Sequence, residues 1–259
     1  MNVHATHVLE ALDALVPLRL AEPWDNVGLL LGDTATVVTG ILLTIDLTPA
    51  VVEEATALGA NVIVAYHPPI FRAQKTVVAG DLAYLALHHR LVVLTPHTAL
   101  DASRGGTCDV MAERLGLLAI DPLIEKEPGL GAGRMGTLEP ALAESSFVQR
   151  VKRAFDVDTV LVCGASTEIR RVAVCAGAGG GLLDRVLRND TDKRIDAYVT
   201  GELSHHEALR VARSGRLAVM LRHSVSERPA LEPLRRDLAD SLPVPVTVSR
   251  VDADPLRFA

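Results

Sequence analysis

"LVVLTPHTALDAS", residues 91–103, decides the fold. Its first five residues are an apolar run of strand length, and a histidine and an aspartate four apart follow it directly. A run this short, apolar on both faces and rich in β-branched residues, reads as a strand of a parallel sheet covered on both sides. Two other segments repeat the arrangement. "NVIVAYHPPIF" (61–71) places His67 behind an apolar run, and "LAVMLRHSVSE" (217–227) places His223 and Glu227 behind another.

Outward from these strands the chain alternates. Val8, Leu9, Leu12, Leu15 and Val16 recur at helical spacing until Pro17 stops them. "ILLTID" (41–46) reads as a strand, and Thr48 and Pro49 cap and start a helix through Leu58. A strand at 61–66, a helix at 81–89, the strand at 91–95 and a helix at 106–115 follow. Residues 121–137, "DPLIEKEPGLGAGRMGT", are rich in Gly and Pro and place a boundary near 126. Beyond it the pattern gives a helix at 145–155, strands at 158–163 and 171–176, a helix from 181, a strand at 195–200, a helix from 205 and a strand at 217–221. The tail offers a helix and the strand "VPVTVSRV". The expectation is an α/β protein of two similar domains with mostly parallel or mixed sheets: residues 1–125, joined by the tail 228–259, and residues 126–227.

Composition narrows the function. A chain of 259 residues with 49% hydrophobic content buries a sizeable core. Its 26 basic and 32 acidic residues leave a net charge of -6, which disfavours duplex nucleic acid as a partner. Cys108, Cys163 and Cys175 form no C-x-x-C pair and no even framework, so a reducing cytoplasm is the expected location. No basic leader followed by an apolar stretch opens the chain and no run approaches about 20 apolar residues, so neither export nor membrane insertion is expected.

In open α/β sheets ligands bind outside the carboxyl ends of the strands, and His67, the segment His97 to Asp101, and His223 all follow strands. Imidazole and carboxylate without thiolate suit zinc, manganese or iron in an open site rather than a closed structural zinc. A bridging Asp101 or Glu227 would let the set hold two ions roughly 3.5 to 4 Å apart, a geometry that suits hydrolysis. The plainer alternative is that each histidine only hydrogen-bonds its loop.

Five motifs add a resemblance. "WDNVGLLLGD" (24–33), "AYHPPIF" (65–71), "HTALD" (97–101), "TGELSHHEAL" (200–209) and "HSVSER" (223–228) resemble, in order and over nearly the whole chain, those of the Nif-three-like dinuclear-metal hexameric proteins, also called GTP cyclohydrolase I type 2 homologues. The resemblance implies a toroidal homohexamer of two-domain subunits with two divalent ions in each subunit's cleft, at the strand ends. It implies His67, Asp101, His223 and Glu227 as metal ligands, with His97 at the edge of the centre. Two positions depart from the family pattern. Tyr66 stands where many members have a histidine, and a neutral phenol is a weaker ligand, so Tyr66 either loosens the second ion or serves as a donor to substrate. Arg222 replaces a glycine, and solvent is its expected destination over a role beside an anionic ligand.

The remaining motifs have two readings each. Asp25 and Asn26 lock a loop or line the pocket wall, and Trp24 is expected in the core rather than as a stacking platform. Glu202, His205 and His206 sit where Ser204 caps a helix, as an anion-binding rim or as solvated side chains. "CAGAGGG" (175–181) lacks a full phosphate-binding signature and reads as a tight turn. The expectation is a metal-dependent hydrolase of the cyclohydrolase or phosphoester class with His97 or Tyr66 moving protons and a small-molecule or nucleotide substrate. The alternative is a non-catalytic metal-binding ring acting through protein partners.

Overall fold

The computed structural model describes residues 2–188 and 194–258. Among these the strands are β1 Gly28–Leu31, β2 Ile41–Thr44, β3 Val62–Ala65, β4 Val92–Thr95, β5 Leu118–Glu127, β6 Leu130–Leu142, β7 Leu161–Gly164, β8 Ile169–Ala178, β9 Ala197–Glu202, β10 Leu217–Met220 and β11 Val246–Val248. The α-helices are α1 Ala5–Leu15, α2 Pro49–Leu58, α3 Leu82–His88, α4 His97–Ala102, α5 Thr107–Arg114, α6 Glu144–Ala154, α7 Leu183–Val186, α8 His205–Ala212, α9 His223–Glu227 and α10 Leu231–Ser241. None of the described helices is long and apolar enough to cross a membrane. The protein is α/β, with mixed sheets in two compact units: residues 1–103 with 231–259, and residues 104–230.

The first unit carries one five-stranded sheet in the order β1-β4-β3-β2-β11. β4, β3, β2 and β11 run parallel, and β1 pairs antiparallel with β4 at the edge. The apolar runs explain this arrangement. "ILLT", "VIVA" and "VVLT" are buried at every position, which only a strand covered on both faces achieves. Each buried Val, Leu or Ile contributes about 1.5 to 3 kcal/mol. Helix α2 packs Val51, Val52 and Ala55 into the same core as Leu42, Ile63 and Val93. Its ends are set locally: the Thr48 side chain accepts from Val51 N, Pro49 occupies the first turn, and Gly59 closes the helix at φ +69°. The sequence reading missed β1, because Gly28 at φ +93° disguises the strand as a turn.

In the second unit the six-stranded sheet has the order β5-β6-β8-β9-β10-β7. β8, β9 and β10 are parallel; β6 and β7 pair antiparallel with β8 and β10. The Gly- and Pro-rich segment expected to end a domain near 126 is instead the hairpin of β5 and β6. Its glycines serve a bulge. A Cβ on Gly131, at φ +151°, would lie 2.1 Å from Ile124 O, beside the register shift between Glu125 and Glu127. The division falls at 103/104 rather than near 126 because α5 belongs to the later core: Cys108, Met111 and Ala112 pack with Phe147, Val151, Val172 and Val199.

Candidate metal centre

The first unit gathers its polar side chains at the carboxyl ends of three adjacent parallel strands. Asp46 follows β2, Tyr66 and His67 follow β3, and His97 opens α4 after β4. Their rings form a compact set: Tyr66 and His67 centroids are 5.2 Å apart, His67 and His97 5.4 Å, and Tyr66 and His97 5.9 Å. His67 Nδ1 lies 2.9 Å from Asp46 Oδ1. A proton shared on that side leaves Nε2 as a lone-pair donor, the state a metal requires. Tyr66 is buried and its hydroxyl donates to Asp101 Oδ1 at 2.5 Å. The phenol thereby orients the carboxylate of Asp101.

Behind His97 stands Asp25, whose carboxylate is fully buried. It accepts from His97 Nδ1 at 2.7 Å, Thr98 Oγ1 at 2.5 Å, Thr98 N at 3.1 Å and Asn26 N at 2.8 Å. Burial pushes the Asp25 pKa upward, but the hydrogen bonds from His97 and Thr98, the His97 ring's charge and the Asn26 amide outweigh it and hold the carboxyl below its ordinary value. His97 itself is held at φ +33°, a left-handed conformation costly for a residue with a Cβ. The "WDN" loop is strapped down further, with Asn26 Nδ2 donating to Ile70 O at 2.6 Å and Glu22 N to Thr98 Oγ1 at 2.9 Å.

The second unit repeats the placement, with Gly177 near the end of β8, Glu202 ending β9 and His223 opening α9 after β10. His223 Nδ1 lies 3.1 Å from Glu202 Oε1, and its Nε2 lies 3.1 Å from Oε1 of the buried Glu227 one helical turn on. In the tautomer that donates to Glu202, the Nε2 lone pair points at a carboxylate oxygen. A shared proton or a metal ion satisfies two donors converging at this distance, so the pair fits a metal by its donor chemistry.

Glycine makes room for the pair. A Cβ on Gly177, which sits at φ +58°, would lie 2.7 Å from Glu227 Oε1 and 3.0 Å from His223 Nε2. Gly177 N donates to Ser226 Oγ, which donates to His223 O at 2.7 Å. A Cβ on Gly201 would lie 2.9 Å from both His223 Cα and Ser226 Oγ. The "CAGAGGG" run is thus a floor under His223 and Glu227, and Gly179 and Gly180 clear Thr200, Tyr198 and Glu207 in the same way.

Full-length comparison agrees with the motif reading. The family model for DUF34/NIF3 (NGG1p interacting factor 3) matches residues 3–255. The chain belongs to this family. NGG1-interacting factor 3 of Saccharomyces cerevisiae is 34% identical over 97% of this chain and 96% of its own length. A GTP cyclohydrolase 1 type 2 homolog of Lactococcus lactis is 34% identical over 78% of this chain and 79% of its own. A hypothetical protein of Staphylococcus aureus of known crystal structure superposes with a TM-score of 0.90 at 25% identity, over the whole of both chains.

Within the family fold, Tyr66, His67, His97 and Asp101 share one cluster in the first unit, and His223 and Glu227 share another in the second. Asp46 was not anticipated, although its place two residues past a buried strand is the same signal that exposed the histidines. Glu202, expected with His205 and His206 either at an anion-binding rim or solvated, is a hydrogen-bond partner of His223. The α8 terminus takes up its own acid, as Ser204 N donates to Glu207 Oε2 at 2.7 Å in a capping box. Trp24 is not in the core; it is 60% exposed. Arg222 is half-buried rather than directed to solvent, and its φ of +84° explains why a glycine suits that position.

Proposed function

We propose that the protein is a dinuclear-metal-dependent hydrolase whose ligands to two divalent ions are His67, Asp101, His223 and Glu227. Imidazole and carboxylate without thiolate are donors of the kind that hold a divalent metal ion in an open site. One observation carries the reading: both histidines have a carboxylate at Nδ1, which aims Nε2 as a donor. Ions bound there supply Lewis acidity and lower the pKa of water, the chemistry of hydrolysis.

The remaining roles belong to the chain. Asp25 fixes the His97 ring through Nδ1, so that Nε2 is the atom at which a substrate proton is taken up or returned. Tyr66 holds the Asp101 carboxylate in one orientation. The substrate class, a small molecule or nucleotide, follows from the cyclohydrolase name carried by the Lactococcus relative. The same reading includes a homohexamer working in the cytoplasm, where thiols such as those of Cys108, Cys163 and Cys175 stay reduced.

The test is turnover of a panel of nucleotides and phosphodiesters by metal-loaded protein. Loss of rate in Asp101→Ala and in His97→Ala with metal retained in the latter supports a hydrolase with His97 as proton carrier. Absence of any rate in wild-type protein that binds metal tightly favours a second reading, a metal-binding ring that works through protein partners. The name of the yeast relative, an NGG1-interacting factor, is what favours that alternative.

A further inference from the structure

We infer that Trp24 and Phe71 form a stacking platform that receives a planar heteroaromatic ring of the substrate beside His97. Trp24 is 60% exposed and Phe71 48% exposed. Their rings meet edge to face, 5.9 Å apart at 61°. Both also stand edge-on to the His97 imidazole, Trp24 at 6.3 Å and 74° and Phe71 at 6.4 Å and 83°. A single exposed apolar side chain is ordinary, but two large aromatic rings grouped around a polar imidazole mark a binding surface.

The platform is braced. Asn26 Nδ2 donates to Ile70 O at 2.6 Å, tying the residue beside Phe71 to the loop that carries Trp24. Asp25, directly after Trp24, is buried under Thr98 and His97. Aromatic faces fixed in water by hydrogen-bonded backbone forgo their own burial and are ready to cover another ring at little entropic cost. Because Asp25 occupies His97 Nδ1, the neutral imidazole presents its Nε2 lone pair to a ring N–H or amino group, and presents Nε2–H to a ring nitrogen or carbonyl once it has taken up a proton, so one end of the platform is polar. That combination suits a nitrogen heterocycle, such as a nucleobase or pyridine, better than an aliphatic or simple phosphate substrate. The inference rests on the reading of this cluster as the reacting centre and adds the substrate's ring to it.

Trp24 is the sole tryptophan, so intrinsic fluorescence reports on this spot alone. Full-length protein, with metal content measured on the same sample, is titrated with guanosine, adenosine, cytidine and nicotinamide mononucleotides, and with ribose 5-phosphate as the ring-free control. The expected result is a saturable change with at least one mononucleotide and none with ribose 5-phosphate. Phe71→Leu should then weaken binding about tenfold. Calorimetry should show affinity lost in Trp24→Leu and kept in Trp24→Phe, since ring stacking survives in the second and a mere spacer role would survive in both. Flat titrations in protein that carries its metal overturn the platform and leave the metal reading standing; a saturable change in metal-free protein supports the platform and counts against the metal centre. If the signal depends on protein concentration and Trp24→Leu dissociates an oligomer, the pair belongs to a contact with a second copy, and the inference fails.

Discussion

The two units solve the same placement problem by different means. Each presents its site residues at the carboxyl ends of three adjacent parallel strands, and each gives a histidine a carboxylate partner at Nδ1. In the first unit the residues are held by polar bonds: Tyr66 to Asp101, Asp46 to His67, and a buried Asp25 that gathers His97, Thr98 and Asn26. In the second they rest on bare backbone, where Gly177 and Gly201 leave no room for a side chain beneath His223 and Ser226. A bonded scaffold fails when a partner is deleted, whereas a packed one fails when an atom is added. Variants of the two kinds separate the cases.

The largest effect is expected from adding atoms at Gly177. Gly177→Val places a branched side chain where a Cβ is already 2.7 Å from Glu227 Oε1, at a left-handed φ, and should cost on the order of 3 kcal/mol of stability as well as binding at the His223 pair. Chemical denaturation and metal titration read the two losses, and an unaffected metal affinity would separate Gly177 from the site. Deletion at Asp25 comes next. Asp25→Ala leaves His97 Nδ1 and Thr98 Oγ1 without their acceptor and should cost about 2 to 3 kcal/mol; a loss below 0.5 kcal/mol, the range of an ordinary surface change, would show that the network adds little.

Tyr66→Phe should be milder, near 1 kcal/mol in stability, with metal affinity reduced roughly tenfold because Asp101 loses its orienting donor. An abolished rather than weakened affinity would make the phenol itself a ligand. In the opposite direction, Arg222→Gly should stabilise the protein by about 1 kcal/mol, since the residue sits at φ +84°; a loss instead would mean that the Arg222 side chain contributes more than its backbone conformation costs.

The smallest effect concerns pH. The Asp25 carboxyl is held below its ordinary value of 3.8 in the fold. A depressed folded pKa contributes stability that is fully present above the unfolded value and lost as pH falls through the folded one. The wild type should therefore lose stability in the acid range below about 3.8 more steeply than Asp25→Asn, as measured by denaturant unfolding at successive pH values. Parallel curves would show that Asp25 is not a source of acid sensitivity.

Strands and site residues were legible in the sequence to different degrees. Buried runs such as "VVLT" and "VIVA" declare themselves, because full burial favours apolar residues at nearly every position, Thr95 being the polar exception here. The histidines after them were found by the same rule. What escaped was carried by glycine and by distance. Gly133 and Gly136 in β6 and Gly177, Gly179 and Gly180 in the "CAGAGGG" run look like punctuation, yet they clear backbone and side chains remote in sequence. The partners Asp25 with His97, and Glu202 with His223, lie 72 and 21 residues apart, beyond any local pattern. The exposure of Trp24 also differs from expectation, since a lone tryptophan reads as core until the neighbouring loop is placed.

If the bonded and the packed cluster each carry metal ligands, metal content per chain is the quantity that reports on both. Elemental mass spectrometry on untagged protein purified without chelator should find close to two divalent ions per chain. Asp101→Ala, from the first unit, and Glu227→Gln, from the second, should each lose metal. Two ions retained in both variants, or no metal in the wild type, would contradict the account and reduce the two clusters to structural devices of their own units.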